Sequence, residues 1–200
     1  MKPQFILGPL AIIAAWVTIG LSVYLNPWFR VTGNALSDLG GGTLLLNDHP
    51  APAYPWVYNY GLIITGVIIA LFSLSVINSS SKKIGNIGMS FFIISGLFLA
   101  LIGIYHEGTY PHDFVSIWFF IIASISYLVV GISLLHSSRK FGISLIILMI
   151  LAWIIYLSVN WQSVAEDEIF GVVVIDIAVL LHLFSMSHGG KISAQRSEVS

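Results

Sequence analysis

Three short stretches carry most of the side chains capable of chemistry. They are Asn34-Ala35-Leu36-Ser37-Asp38-Leu39-Gly40, Tyr105-His106-Glu107-Gly108-Thr109-Tyr110-Pro111-His112-Asp113 and Glu166-Asp167-Glu168. Two imidazoles beside carboxylates suit zinc or iron. A metal held by His106, His112 and Asp113 would lower the pKa of a bound water and allow hydrolysis of a lipid head group or ester. Ser37 and Asp38 add a hydroxyl and an acid to the same set. Arg30 is the natural contact for a phosphate. The candidates for lipid or ion binding are therefore Arg30, Ser37, Asp38, Glu107, Glu168 and Asp176.

A plainer reading competes with this one. Ser37 or Asp38 caps a short helix. Asp113 and Glu168 sit where two helices begin, at the positive end of the helix dipole. The two histidines are six residues apart, which is not a helical ligand spacing, and there is no His-Glu-x-x-His. Membrane hydrolases of the alkaline ceramidase type also use Ser, Asp and His, but carry a His-x-x-x-His on a late helix, which is absent here. On this reading the three stretches interlock into a cap that catalyses nothing.

What must position these residues follows from composition. The chain has 200 residues, 57% hydrophobic and only 8% charged, against roughly 25% charged in a soluble domain. Mean hydropathy is +0.94. So few charges cannot cover a water-soluble globule of this size. The net charge of -1 leaves no basic stripe for nucleic acid. With no cysteine there is no disulfide framework, zinc ribbon or thiol nucleophile. A polytopic membrane protein remains, with membrane lipids as its first partners.

A bilayer core of roughly 30 Å takes about 20 apolar residues at ~1.5 Å each. Six runs qualify: 5–25, 57–78, 84–105, 114–136, 142–160 and 168–187. Without water to satisfy the backbone, each must be helical. The first run is too long for a cleaved signal peptide. The fold predicted is all-α, one six-helix transmembrane domain over 1–188 with a disordered cytoplasmic tail over 189–200.

Seven of the eight basic residues fall on one side of these spans, and only Arg30 on the other. This puts both termini inside. The membrane expected for the chain is the cell membrane. The acids Asp38, Asp48, Glu107, Asp113, Glu166, Asp167 and Glu168 gather outside. The two inner turns resemble each other, Ser80-Ser81-Lys82-Lys83 against Ser137-Ser138-Arg139-Lys140; a duplicated hairpin would explain this, and so would the positive-inside rule alone, under which small basic inner turns look alike. The outer segment 26–56 is longer than a connection needs. It is expected to form an ordered cap with a short interfacial helix over 34–39. Trp28, Phe29, Tyr54, Trp56, Tyr58 and Tyr60 would make its aromatic belt.

Ser37-Asp38-Leu39-Gly40 after the first span, the turn Gly103-Ile104-Tyr105-His106-Glu107-Gly108-Thr109 followed by His112, and the acidic start of the last span resemble the membrane family known as domain of unknown function 998. The resemblance runs over nearly the whole chain. It implies a six-helix membrane domain and no reaction. The chain departs from the family in having His at 106, where an apolar residue or proline is expected.

Asp176 lies about eight residues, or ~12 Å, inside the last span. A charge at that depth is expensive and needs a partner. It is expected to face the bundle interior, near the depth of Trp16, Thr18, Ser95, Ser124 and Trp153, either as a proton or ion relay or as a hydrogen-bonded glue between helices. His182 does not share its face. His136 and His182 differ in depth by about two turns, which disfavours a bis-histidine haem. Small residues such as Gly61, Gly66, Gly85, Gly88 and Gly96 recur on the second and third spans and allow close helix packing. Two functions stay open. One is a non-catalytic accessory or structural subunit of a larger membrane complex. The other is an outward-facing lipid-head-group or metal site, with hydrolysis as its extreme form.

Overall fold

The computed structural model describes residues 2–42 and 49–197, the last nine of these by backbone alone. Asp48 lies outside the described residues, as do 198–200 of the tail. The described residues form six long helices, α1 (Gln4–Leu25), α2 (Pro55–Ser79), α3 (Lys83–Ile104), α4 (His112–Leu134), α5 (Arg139–Ser158) and α6 (Val164–Ser197), with a short 3-10 helix at Leu36–Leu39. All six are long and apolar enough to cross a membrane, α6 over Val164–His188. Among the described residues there is no strand. α6 continues as helix to Ser197, through most of the stretch read as a tail.

Each helix packs on the next, and α6 returns to touch α1 and α4. The tightest approach joins α2 and α3. A Cβ on Gly66 would stand 2.3 Å from the Gly96 carbonyl oxygen, and one on Gly96 would stand 2.6 Å from the Gly66 oxygen. Only glycine at both positions lets these backbones meet, as packing in lipid favours. Phe72, Phe92 and Tyr127 then stack edge-to-face through the centre, and each is fully buried.

α5 is the exception. Its buried residues are Gly142, Leu145 and Met149, and none lies beyond Met149. Its second half stands away from the bundle, leaving a groove of about 470 Å³ between α4, α5 and α6.

The two ends of the bundle differ. At the basic end sit Lys2 and the turns holding Lys82 and Ser137. At the cap end the chain folds over the helix tips. The 3-10 helix is not interfacial as expected: all four of its residues are buried. Phe29 and Tyr58 likewise leave the expected aromatic belt and join the core. Tyr54, Trp56 and Tyr60 remain exposed.

Candidate functional site

The cap is built by hydrogen bonds from a buried segment to most of the surrounding helix ends. Asn26 closes its base, donating to the Ala53 carbonyl at 3.3 Å and accepting the Ala53 N–H at 2.6 Å. Asp38 reaches back to accept the Ala35 N–H at 2.9 Å. Of the two expected capping residues it is therefore Asp38 that caps the 3-10 helix. Its other oxygen lies 3.1 Å from His49 Nε2, and the His49 ring stacks flat on Trp28 with centroids 4.6 Å apart.

Ser37 turns away from its own helix. Its hydroxyl donates to Glu107 Oε2 at 3.0 Å. The same oxygen lies 3.0 Å from His112 Nε2. The other ring nitrogen of His112, Nδ1, sits 2.7 Å from the Tyr105 carbonyl. Gly41 makes this meeting sterically feasible, because a Cβ there would stand 2.5 Å from the Glu107 carbonyl and 2.6 Å from His106 Nδ1. The glycine run in the sequence thus serves close approach of the cap to the α3–α4 turn.

α6 is tied to the same segment. Leu36 donates its N–H to Glu168 at 2.6 Å, and Ala165 donates its N–H to the Asn34 carbonyl at 2.8 Å. Ser163 Oγ donates to the Val31 carbonyl. α2 is held through Asn59, which donates to the Gly40 carbonyl at 2.9 Å. Among the described residues no hydrogen bond ties this cap to α5.

The site residues expected from sequence therefore separate. Ser37, Asp38, Glu107, His112 and Glu168 come together in the cap. Arg30 does not join them: its side chain is exposed and, among the described residues, makes no ion pair. Asp176 lies deeper, half-buried, and accepts the Trp16 indole N–H at 2.7 Å. Asp176 and Glu168 also line a narrow cavity of about 80 Å³ inside the bundle, together with Tyr58, Thr65 and Ser116. Trp16 and Asp176 match in depth, as the sequence implied; their pairing across 160 residues was not readable from it.

The chemistry this arrangement allows is limited by His112. The ligand atoms of Glu107, His112 and Asp113 lie within 4.8 Å of one another. His106 is not in that group; its Nδ1 sits 2.9 Å from the Glu107 carbonyl. An imidazole with an acceptor at each nitrogen is satisfied by the doubly protonated ring. Metal binding at Nε2 requires that proton to leave. Nor does His112 serve as a base for Ser37, because both groups point at one carboxylate oxygen and not at each other. Sequence reading missed His49, Asn26 and Asn59, which clamp the cap. Their types were visible, but no local spacing links them to their partners.

The groove beside α5 is the other feature at this end. Asp167, Glu168, Ser116 and Ser124 line it together with Phe120, Trp153, Tyr156, Phe170 and Val174. Its acids come from the start of α6, and its apolar lining from all three helices.

A search of the curated proteins and of the solved structures matches nothing. The family model described as "Protein of unknown function (DUF998)" matches residues 9–185. That range takes in the cap, the α3–α4 turn with Glu107 and His112, and the transmembrane part of α6 almost to its end. This integral membrane protein therefore belongs to the DUF998 family.

Proposed function

We propose that the protein is a non-catalytic, multi-pass protein of the cell membrane, with its cap end outward and both termini inside, that holds a lipid in the groove among α4, α5 and α6. The observation that carries this reading is the groove itself. It has acids from the start of α6 in its lining, apolar side chains from three helices, and one side formed by a helix that the cap leaves untied. Its volume of about 470 Å³ falls within the roughly 300–1,000 Å³ of small-molecule sites. Acyl chains suit the walls. Asp167 favours a head group that carries an amine. The seven basic residues at the opposite end support the orientation.

The catalytic groups expected from sequence are engaged within the cap, which supports a binding role over a reaction. A protein of this kind serves as an accessory subunit, presenting a lipid-filled face to a larger membrane complex. The test is native mass spectrometry of the tagged chain, extracted gently from its own membranes. The expected species is 21.9 kDa plus an amine-bearing lipid, alone or within a larger assembly. Ser124→Phe, which fills the groove wall, should lower lipid occupancy several-fold. Asp167→Asn should erase the preference for an amine. A lipid-free protein, or occupancy indifferent to Ser124→Phe, overturns the reading.

One observation favours a second reading, a metal-dependent hydrolase of the outer leaflet: the closeness of Glu107, His112 and Asp113. Zinc bound at near one equivalent, and lost in His112→Ala with folding preserved, would establish it in place of the first.

A further inference from the structure

The groove among α4, α5 and α6 carries an aromatic set that acyl chains do not explain. Trp153 and Tyr156, in the last two turns of α5, line it, and so does Phe170, in the first two turns of α6. The Trp153 and Tyr156 rings stand nearly perpendicular, at 79°, with centroids 5.6 Å apart. Trp161, in the connection between the two helices, braces the set. Its indole N–H donates to the Tyr156 carbonyl at 3.0 Å, and its ring packs on Phe170 with centroids 5.3 Å apart. One residue thus ties the aromatic side of α5 to that of α6. Gly171 makes room for a further lining ring, because a Cβ there would stand 2.5 Å from Phe120 Cε1.

The polar groups of the groove are unequal. Asp167 stands in the first turn of α6 and, among the described residues, makes no ion pair. Glu168 beside it already accepts the Leu36 N–H. Ser124 donates to the Phe120 carbonyl at 2.9 Å, and the Ser116 hydroxyl lies 3.5 Å from His112 Nε2. Among the described residues the lining includes no basic side chain. The groove therefore offers one carboxylate outside any ion pair, several aromatic rings and few open acceptors. A primary ammonium brings three N–H donors that must all find acceptors. A trimethylammonium brings none. Its charge is spread over methyl groups that pack on aromatic faces and are attracted by the ring quadrupole, and a single carboxylate balances it. An aromatic belt at a membrane surface needs neither a concavity nor a carboxylate; this set has both.

We infer that the head group held here is a quaternary ammonium, the trimethylammonium of a choline-bearing lipid, seated on Trp153, Tyr156 and Phe170 beside Asp167. This rests on the groove being a lipid site and names the class of head group. The acyl chains then run past Val174 and Ile175, which line the groove and lie ~11 Å further along α6 than Asp167.

The experiment titrates the full-length chain in detergent with five lipids of the same acyl chains, read by native mass spectrometry. They are phosphatidylethanolamine, its N-methyl and N,N-dimethyl forms, phosphatidylcholine, and phosphatidylglycerol as the lipid without an amine. Affinity should rise with each added methyl group, and phosphatidylcholine should bind about tenfold more tightly than phosphatidylethanolamine. This series needs no variant. Tyr156→Leu and Trp153→Leu should each bring phosphatidylcholine down to the level of phosphatidylethanolamine, whereas Trp153→Phe, which keeps a ring, should retain most of the preference. Asp167→Asn should weaken all four amine-bearing lipids toward phosphatidylglycerol. If phosphatidylethanolamine binds as tightly as phosphatidylcholine, and both more tightly than phosphatidylglycerol, the groove still selects an amine and the quaternary-ammonium inference is overturned. If none of the five binds, the lipid site falls with it. A Tyr156→Leu protein that prefers phosphatidylcholine as before also overturns the inference. Free choline that displaces phosphatidylcholine at equal concentration would make a soluble cation the occupant and overturn the assignment to a lipid.

Discussion

Ser37 Oγ donates to Glu107 Oε2 at 3.0 Å, and that oxygen also faces His112 Nε2 at 3.0 Å. Serine and histidine thus converge on one carboxylate instead of forming a nucleophile–base pair. The carboxylate that Ser37 touches is shared with the His112 ring, which makes it a weak base and leaves the serine a poor nucleophile. A fluorophosphonate probe should therefore leave Ser37 unlabelled in the folded protein, as judged by peptide mass spectrometry. Stoichiometric labelling at Ser37 would restore the hydrolase reading.

The Glu107–His112 contact is an ion pair of limited exposure, with side chains 19% and 6% exposed. Removing one partner strands the other charge. Glu107→Leu or His112→Leu alone should each cost about 2–4 kcal/mol of stability, somewhat below the ~3–5 kcal/mol of a fully buried pair. The double variant should cost clearly less than the sum. Unfolding in detergent, run as a double-mutant cycle, measures the coupling; strict additivity would mean that the two groups do not interact.

Glu168 accepts the Leu36 N–H and so pins α6 to the cap. Its amide variant keeps an acceptor in place, and its leucine variant does not. Glu168→Gln should stay close to the parent in thermal stability. Glu168→Leu should lose about 1–3 kcal/mol, the cost of a buried N–H left unpaired. Equal loss in both variants would show that charge at this position, and not the hydrogen bond, holds the helix.

Asp176 and Trp16 allow the same separation deeper in the bundle. Asp176→Asn retains an acceptor for the indole N–H and should be nearly neutral. Asp176→Leu should cost about 1–2 kcal/mol. Should Asp176→Asn fold normally yet abolish a proton-coupled activity in proteoliposomes, the residue is a relay and not glue between helices.

Gly66 and Gly96 bring α2 and α3 into backbone contact. Gly66→Ala places a methyl group where no atom fits and should cost about 1–3 kcal/mol by overpacking. Lowered yield of monodisperse protein, with a lower unfolding temperature, is the expected result. A parent-like Gly66→Ala would mean that the helices part without penalty.

The six helices were legible because length and hydropathy are local properties, and lipid leaves the backbone no alternative to helix over runs such as 84–105. Their bounds needed only small shifts, α4 starting at His112 instead of 114, except that α6 runs on to Ser197. Family membership was legible too, from Ser37-Asp38-Leu39-Gly40 and the Glu107-Gly108-Thr109 turn. Aromatic residues misled at two positions. Phe29 and Tyr58 look like interfacial anchors in sequence, but the cap folds over them and buries both. Aromatic type signals a membrane interface only where nothing else covers the ring.

The sequence by itself determined that this chain forms six helices long and apolar enough to cross a membrane, because apolar length is set residue by residue. It also determined that acids and bases lie at opposite ends, because charge is carried by residue type. Only the tertiary structure decided which of those charged groups meet. Ser37 and Glu107 are 70 residues apart, Leu36 and Glu168 are 132 apart, and Trp16 and Asp176 are 160 apart. Such pairs depend on the packing order of whole helices and on glycine contacts that admit no side chain. The same packing leaves the second half of α5 standing clear and opens the groove beside it.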